Sequence, residues 1–90
     1  MTKHYLVRYE KAAQKALKEM DRFQASMIIS WIEKNFVGTD NPRRLGKELV
    51  ANRSGEWRYR IGDYRLIANI NDESVTILIV QIAHHSTIYK

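Results

Sequence analysis

The segment Trp57–Leu66, WRYRIGDYRL, constrains this chain more than any other. Trp57, Tyr59 and Ile61 alternate with Arg58 and Arg60. Period-two alternation marks a strand with one apolar and one basic face. Gly62-Asp63 suits a two-residue type II′ turn, because glycine accepts the positive φ at the first central position. Such a turn sets Ile61 opposite Tyr64 and Arg60 opposite Arg65. Like charges facing each other across strands cost about 0.2–1 kcal/mol, so the fold gains nothing from the arrangement. A site that grips a phosphate does, because guanidinium forks match phosphate oxygens.

Ninety residues make a single domain, 1–90, of a size that buries about 60–65% of its unfolded surface. A hydrophobic content of 44% is that of a globular chain. Cysteine is absent, which excludes a disulfide framework, a thiolate metal site and a cysteine nucleophile. No apolar run approaches the roughly 18 residues of a membrane span, and the N-terminus lacks the apolar core of a signal peptide. A cytoplasmic protein with no membrane partner is expected.

The formal net charge is +5, and the excess is local. Between Arg43 and Arg65 there are seven Lys and Arg against three Asp and Glu. A concentration of this kind implies a polyanion or an acidic protein partner. A solvated, generally basic surface has the same composition.

Along the chain, His4–Tyr9 reads as a strand, with Tyr5, Val7 and Tyr9 on one face. Glu10–Met20 reads as a helix with Ala13, Ala16, Leu17 and Met20 on its apolar side. Asp21 is a good N-cap for a second helix, from about Arg22 to Phe36, and Gln24 completes a capping-box pattern. Met27, Ile28, Trp31, Ile32 and Phe36 form the stripe expected to be buried. The short link between the helices predicts an antiparallel hairpin. Gly38 ends the second helix, and 37–55 is irregular. Strands follow at 56–61, 64–71 and 74–83. The last has both faces apolar and is therefore internal. Residues 88–90 extend the sheet or fray. The expected fold is α+β: an N-terminal strand, an antiparallel helix hairpin, then antiparallel strands forming a twisted sheet packed on the helices.

Three guanidiniums, Arg58, Arg60 and Arg65, share one hairpin face, with Ile67 and Asn69 beyond them. Together they suit a phosphodiester and the charge that develops on it. A solvated face or an acidic partner uses the same pattern. His84 and His85, at the end of the last strand, offer groups that titrate near neutral pH. Simple alternation puts His84 on the arginine face and His85 opposite; a bulge near Ala83, or fraying of the strand end, reverses the two. Two exposed histidines at a strand end need no function. A metal site is not expected, because His4 is remote and no helical histidine pair exists. Tyr89 is placed to stack on a base, donate a hydrogen bond or simply pack. Trp31, Trp57 and Tyr59 read as core, and Glu48 as a solvated loop carboxylate or a general base. No glycine-rich nucleotide loop, serine nucleophile signature or paired-carboxylate motif appears.

Taken together, NPRRLGKEL (41–49), GEWRYRIGDYRLI (55–67) and the ending IAHHSTIYK (82–90) resemble the RelE branch of the RelE/ParE toxins of bacterial toxin–antitoxin systems. The resemblance covers nearly all of the chain. It implies a concave basic sheet and metal-independent endoribonuclease activity without a cofactor, directed at messenger RNA on the ribosome. The mechanism it implies is attack of the 2′-hydroxyl on the adjacent phosphate. The family's basic pair before the turn falls on Arg58 and Arg60, its arginine after the turn on Arg65, and its C-terminal tyrosine on Tyr89. Beyond these correspondences, Arg44 and Lys47 in the basic loop are candidates to contact phosphates of mRNA or ribosomal RNA. The implied partners are mRNA, the ribosome and a RelB-like antitoxin with an acidic binding segment. Many relatives end the last strand in Gly-His-Arg, where this chain has Ala83-His84-His85. Relatives also often have glycine near Ala51. Alternation favours His84 as acid or base, and the family position favours His85, which is the more specific evidence. ParE relatives, which poison DNA gyrase, generally lack the full basic set.

Overall fold

The patterned segments fold at nearly the bounds expected. In the computed structural model, which describes residues 4–48 and 55–84, the chain runs β1 (Leu6–Tyr9), α1 (Lys11–Glu19), α2 (Arg22–Asn35), β2 (Lys47–Glu48), β3 (Glu56–Ile61), β4 (Tyr64–Asn71) and β5 (Thr76–His84). The five strands form one sheet in the order β1-β5-β4-β3-β2. Among the described residues no helix is long and apolar enough to cross a membrane. The possible extension at 88–90 lies outside the described residues.

Apolar side chains gather on one face of this sheet. Tyr59 and Ile61 of β3, Leu66, Ala68 and Ile70 of β4, and Ile77, Ile79 and Ile82 of β5 join Ala13, Ile28, Ile32 and Phe36 of the helical layer in one core. The helices therefore cover a single face. Asp21 caps α2, its carboxylate accepting from the backbone N–H groups of Phe23 (3.0 Å) and Gln24 (3.4 Å). Such a cap is typically worth about 1 kcal/mol.

Three expectations change. The sheet is mixed rather than antiparallel, because β1 pairs parallel to β5, Leu6 with Thr76 through Tyr9 with Ile79. The helices α1 and α2 carry the chain from β1 at one edge of the sheet to β2 at the other. The strands that follow return antiparallel until β5 lies between β4 and β1, so the twice-apolar β5 has a neighbour on each side. The loop 37–55 is not wholly irregular: Lys47 and Glu48 pair with Arg58 and Trp57. Met27 leaves the buried stripe and is exposed. Ile28, Ile32 and Phe36 follow each other at four-residue steps and take the centre of the contact. Met27 lies about 100° round the helix from Ile28, at its rim.

Tyr59 anchors the region that carries the site. It is 1% exposed, and its ring meets Phe36 and Trp31 edge-on at 4.8 and 5.9 Å. Each such pair adds about 0.5–1.5 kcal/mol to plain burial. Its hydroxyl donates to the Pro42 carbonyl. Gly46 lies directly on the ring; a Cβ there would come within 2.6 Å of Tyr59 Cε2, a contact that demands glycine. Asp72, at the β4–β5 turn, accepts from both Arg43 Nη1 (3.1 Å) and Nη2 (2.9 Å) and from the Tyr5 hydroxyl (2.6 Å). The loop 42–46 is thus tied to the sheet at two points.

Burial pushes the Tyr59 phenol well above its ordinary value of 10.0, against a smaller pull from the Arg43 guanidinium. A group raised in the folded state contributes fully below its unfolded value and loses that contribution as pH climbs toward the folded one. Stability should therefore hold to about pH 10 and fall above it. Tyr59→Phe should make the alkaline decline shallower by up to about 1.4 kcal/mol per pH unit. Tyr5 and Tyr9 shift in the same direction and preserve part of the decline. Urea unfolding between pH 8 and 11, taken as a rough working range, reads the difference; identical slopes would contradict it.

Candidate functional site

Because Tyr59 and Ile61 face the core, Arg58 and Arg60 must face the other way. The turn completes the arrangement. Gly62 takes φ 59, and Asp63 is not among the residues with positive φ, which is the II′ pattern. Ile61 pairs with Tyr64 and Arg60 with Arg65, and Arg58 stands opposite Ile67 on one side and Lys47 on the other. Directly paired residues share a face. Lys47, Arg58, Arg60 and Arg65 therefore rise from the sheet surface away from the helices.

They surround a concavity of about 190 Å³, lined by Leu45, Lys47, Arg58, Arg60 and Arg65. Arg60 and Lys47 are exposed, whereas Arg58 and Arg65 are half-buried. Arg65 Nη1 itself is shielded from solvent. Arg60 Nε donates to the Gly62 carbonyl at 3.4 Å, a long contact that ties the side chain to the turn. Ile67 is buried on this outer face, 5% exposed, with Arg58 across the strand pair and Arg65 two residues back. Apolar surface beneath half-buried guanidiniums lowers the local dielectric and strengthens their hold on an anion. Charge of one sign in a hollow also concentrates the field there.

The structure gathers Lys47, Arg58, Arg60 and Arg65 as one group. Arg44 is exposed on the preceding turn and does not line the hollow. His84 is moved. The register of β4 with β5 shifts between Ile67 and Ala68: Gln81 pairs with Ile67 and Ile79 with Ala68, leaving Val80 as an extra residue. This bulge reverses the alternation that follows. Ala83 takes the place opposite Arg65, and His84 pairs with Tyr64, their rings 5.7 Å apart edge-on. His84 thus lies on the helix side, not on the arginine face. His85 and Tyr89 lie outside the described residues. Glu48 is exposed beside Trp57. Among the described residues no three His, Cys, Asp or Glu group as metal ligands.

Leu45 and Arg43 escaped the sequence reading. Leu45 carries no pattern that distinguishes it from any loop leucine. Arg43 looks like part of the basic run, yet it serves structure: it grips Asp72 and its guanidinium lies over the Trp57 ring at 5.7 Å.

A family model described as "ParE toxin of type II toxin-antitoxin system, parDE" matches residues 7–89. Toxin RelG of Mycobacterium tuberculosis is 28% identical over 86 residues, spanning 96% of this chain and 97% of that protein. The toxin–antitoxin complex RelBE2 from Mycobacterium tuberculosis contains a chain that matches with a TM-score of 0.76 and 26% identity, over 90% of this chain and 98% of that one. A free-state mutant of Escherichia coli toxin RelE matches with a TM-score of 0.74 over 96% of this chain and 90% of its own. At 16% identity, this last likeness concerns the fold alone.

If the Arg60–Arg65 pair serves a ligand rather than the fold, removing one charge should stabilise the free protein. Arg60→Gln is expected to raise the unfolding free energy by about 0.2–1 kcal/mol at low ionic strength, with the gain shrinking as salt screens the pair. Urea titrations at two salt concentrations measure this. A loss of stability would show instead that Arg60 supports the hairpin.

Proposed function

The chain belongs to the ParE toxin family of type II toxin–antitoxin systems, on the RelE-like branch of the RelE/ParE superfamily, and on that premise we propose that it is a metal-independent endoribonuclease that cleaves ribosome-bound mRNA. The observation that carries this reading is the hollow in which Arg60 faces Arg65 with Arg58 and Lys47 alongside. An acidic protein partner is served equally well by cations spread over a surface, whereas a phosphoryl-transfer site needs them converging on one hollow.

In this reaction the 2′-oxygen bonds to the adjacent phosphorus and the bond from phosphorus to the 5′-oxygen breaks. The products are a 2′,3′-cyclic phosphate and a 5′-hydroxyl. One proton leaves the 2′-hydroxyl and one reaches the departing 5′-oxygen. Arg60 and Arg65 hold the non-bridging oxygens and offset the charge that gathers on them. Arg58 positions the backbone and eases deprotonation of the 2′-hydroxyl. Lys47 and Arg44 contact flanking phosphates of mRNA or ribosomal RNA. The Val80 bulge, by turning His84 away, supports giving proton transfer to His85. Tyr89 stacks on a base or orients the attacking hydroxyl. An intramolecular nucleophile makes a metal-bound hydroxide unnecessary. The antitoxin, RelB-like and acidic in its binding segment, covers the cationic face and so blocks the site.

A second reading, a non-enzymatic toxin that inhibits DNA gyrase, is favoured by the name of the family model itself. Gyrase supercoiling assays distinguish it: inhibition without RNA cleavage would replace the first reading.

Programmed ribosomes provide the direct assay. Arg65→Ala should lower the single-turnover cleavage rate by about 10²–10³, the usual loss for one preorganised donor, with a smaller effect on binding. Lys47→Ala should weaken binding and leave the saturated rate nearly intact. Equal small effects from both would reduce the site to a diffuse basic patch.

The histidines separate in the same assay. His85→Ala should lose roughly 10²–10⁴ in rate and lose a step in the pH profile near the imidazole value of about 6.5. His84→Ala should do neither. If His85→Arg keeps the rate, position 85 contributes charge and not proton transfer; if His84→Ala carries the loss, the assignment between the two is reversed.

A further inference from the structure

Four cations account for a phosphate in the hollow, but not for the apolar side chain that lines it with them. Among the described residues around that concavity, Leu45 is alone in being apolar, and it is 47% exposed. A scattered surface leucine needs no explanation. This one is held. Pro42 receives the Tyr59 hydroxyl, and Arg43 is clamped by Asp72. Gly46 N–H donates to the Arg43 carbonyl, closing a turn around Leu45. Gly46 itself is seated on the buried Tyr59 ring. The direction of Leu45 is therefore set by the core and not by solvent.

A fixed apolar wall beside a cationic hollow fits a ligand with an apolar face next to an anionic group. A nucleotide has that form, with its base and ribose beside the phosphate. The geometry points to Leu45 as a nucleoside-contacting residue, packing on the base or ribose of the nucleotide whose phosphate the arginines hold. The inference deepens the phosphodiester reading and rests on it. It makes Leu45 the group that separates nucleic acid from other polyanions of equal charge. Since no charge is involved, the discrimination should survive salt that weakens overall binding.

The test is equilibrium binding of the full chain to a short single-stranded oligoribonucleotide and to an abasic ribose–phosphate oligomer of the same length, at two salt concentrations. Leu45→Ala should weaken binding of the base-bearing oligomer about three- to tenfold relative to the abasic one. Leu45→Tyr should restore or exceed the original preference, because an aromatic ring stacks on any base. A gain in RNA affinity cannot come from unfolding, so this variant guards against a folding artefact. Equal loss on both oligomers, or no loss on either, overturns the inference. If the unmodified chain binds neither oligomer, or Arg58→Ala leaves binding unchanged, the phosphate site falls and the inference falls with it. Binding that depends on Arg58 but not on Leu45 removes the inference alone.

Discussion

Burying Tyr59 obliges Arg58 and Arg60 to face the other way. Neighbours in a strand point to opposite sides, so an aromatic ring fixed under Phe36 and Trp31 holds two guanidiniums out on the far surface. The same ring supports Gly46, and its hydroxyl takes the Pro42 carbonyl. The loop then enters β2 in the register that sets Lys47 beside Arg58. One side chain thereby links the core, the loop and the charged hollow. Sliding β3 by one residue would turn every one of these side chains over.

The hollow is an electrostatic liability that the rest of the fold supports. Arg60 directly faces Arg65, with two further cations nearby. Like charges set directly opposite each other cost a strand pair about 0.2–1 kcal/mol. The apolar core on the other face supplies the stability, and the II′ turn at Gly62 fixes the register. Arg43, although part of the same basic run, is withdrawn from the site by Asp72. Basic residues close in sequence thus divide into one that fastens the loop and several that line the hollow.

Where a side chain's neighbours are set by strict alternation and a defined turn, the sequence was enough to place it. That holds for Arg58, Arg60 and Arg65, for the Asp21 cap and for the core assignment of Tyr59. It failed where one extra residue matters. Val80 bulges from β5, and no glycine or proline marks the place, so alternation alone does not put His84 on the helix side; a bulge near the strand end is foreseeable in kind but not in position. β2 has two residues, Lys47 and Glu48, too few for a periodicity to register, and its pairing comes from the partner strand. The parallel direction of β1 depends on where two helices return the chain, which is a tertiary matter. Leu45 became legible only once its loop was seen pinned to Tyr59, since its own side chain carries no pattern.

On the function proposed, these arginines act on a phosphodiester attacked by its own 2′-hydroxyl. The most direct measurement uses ribosome-bound mRNA carrying a single 2′-deoxyribonucleotide immediately 5′ of the scissile phosphate. Cleavage at that bond should disappear while toxin binding to the programmed ribosome is unchanged, and the unmodified message should yield a 2′,3′-cyclic phosphate and a 5′-hydroxyl. Cleavage of the deoxy-substituted message at the ordinary rate, leaving a 3′-hydroxyl, would mean that an external nucleophile does the work and would contradict the role given to Arg60 and Arg65.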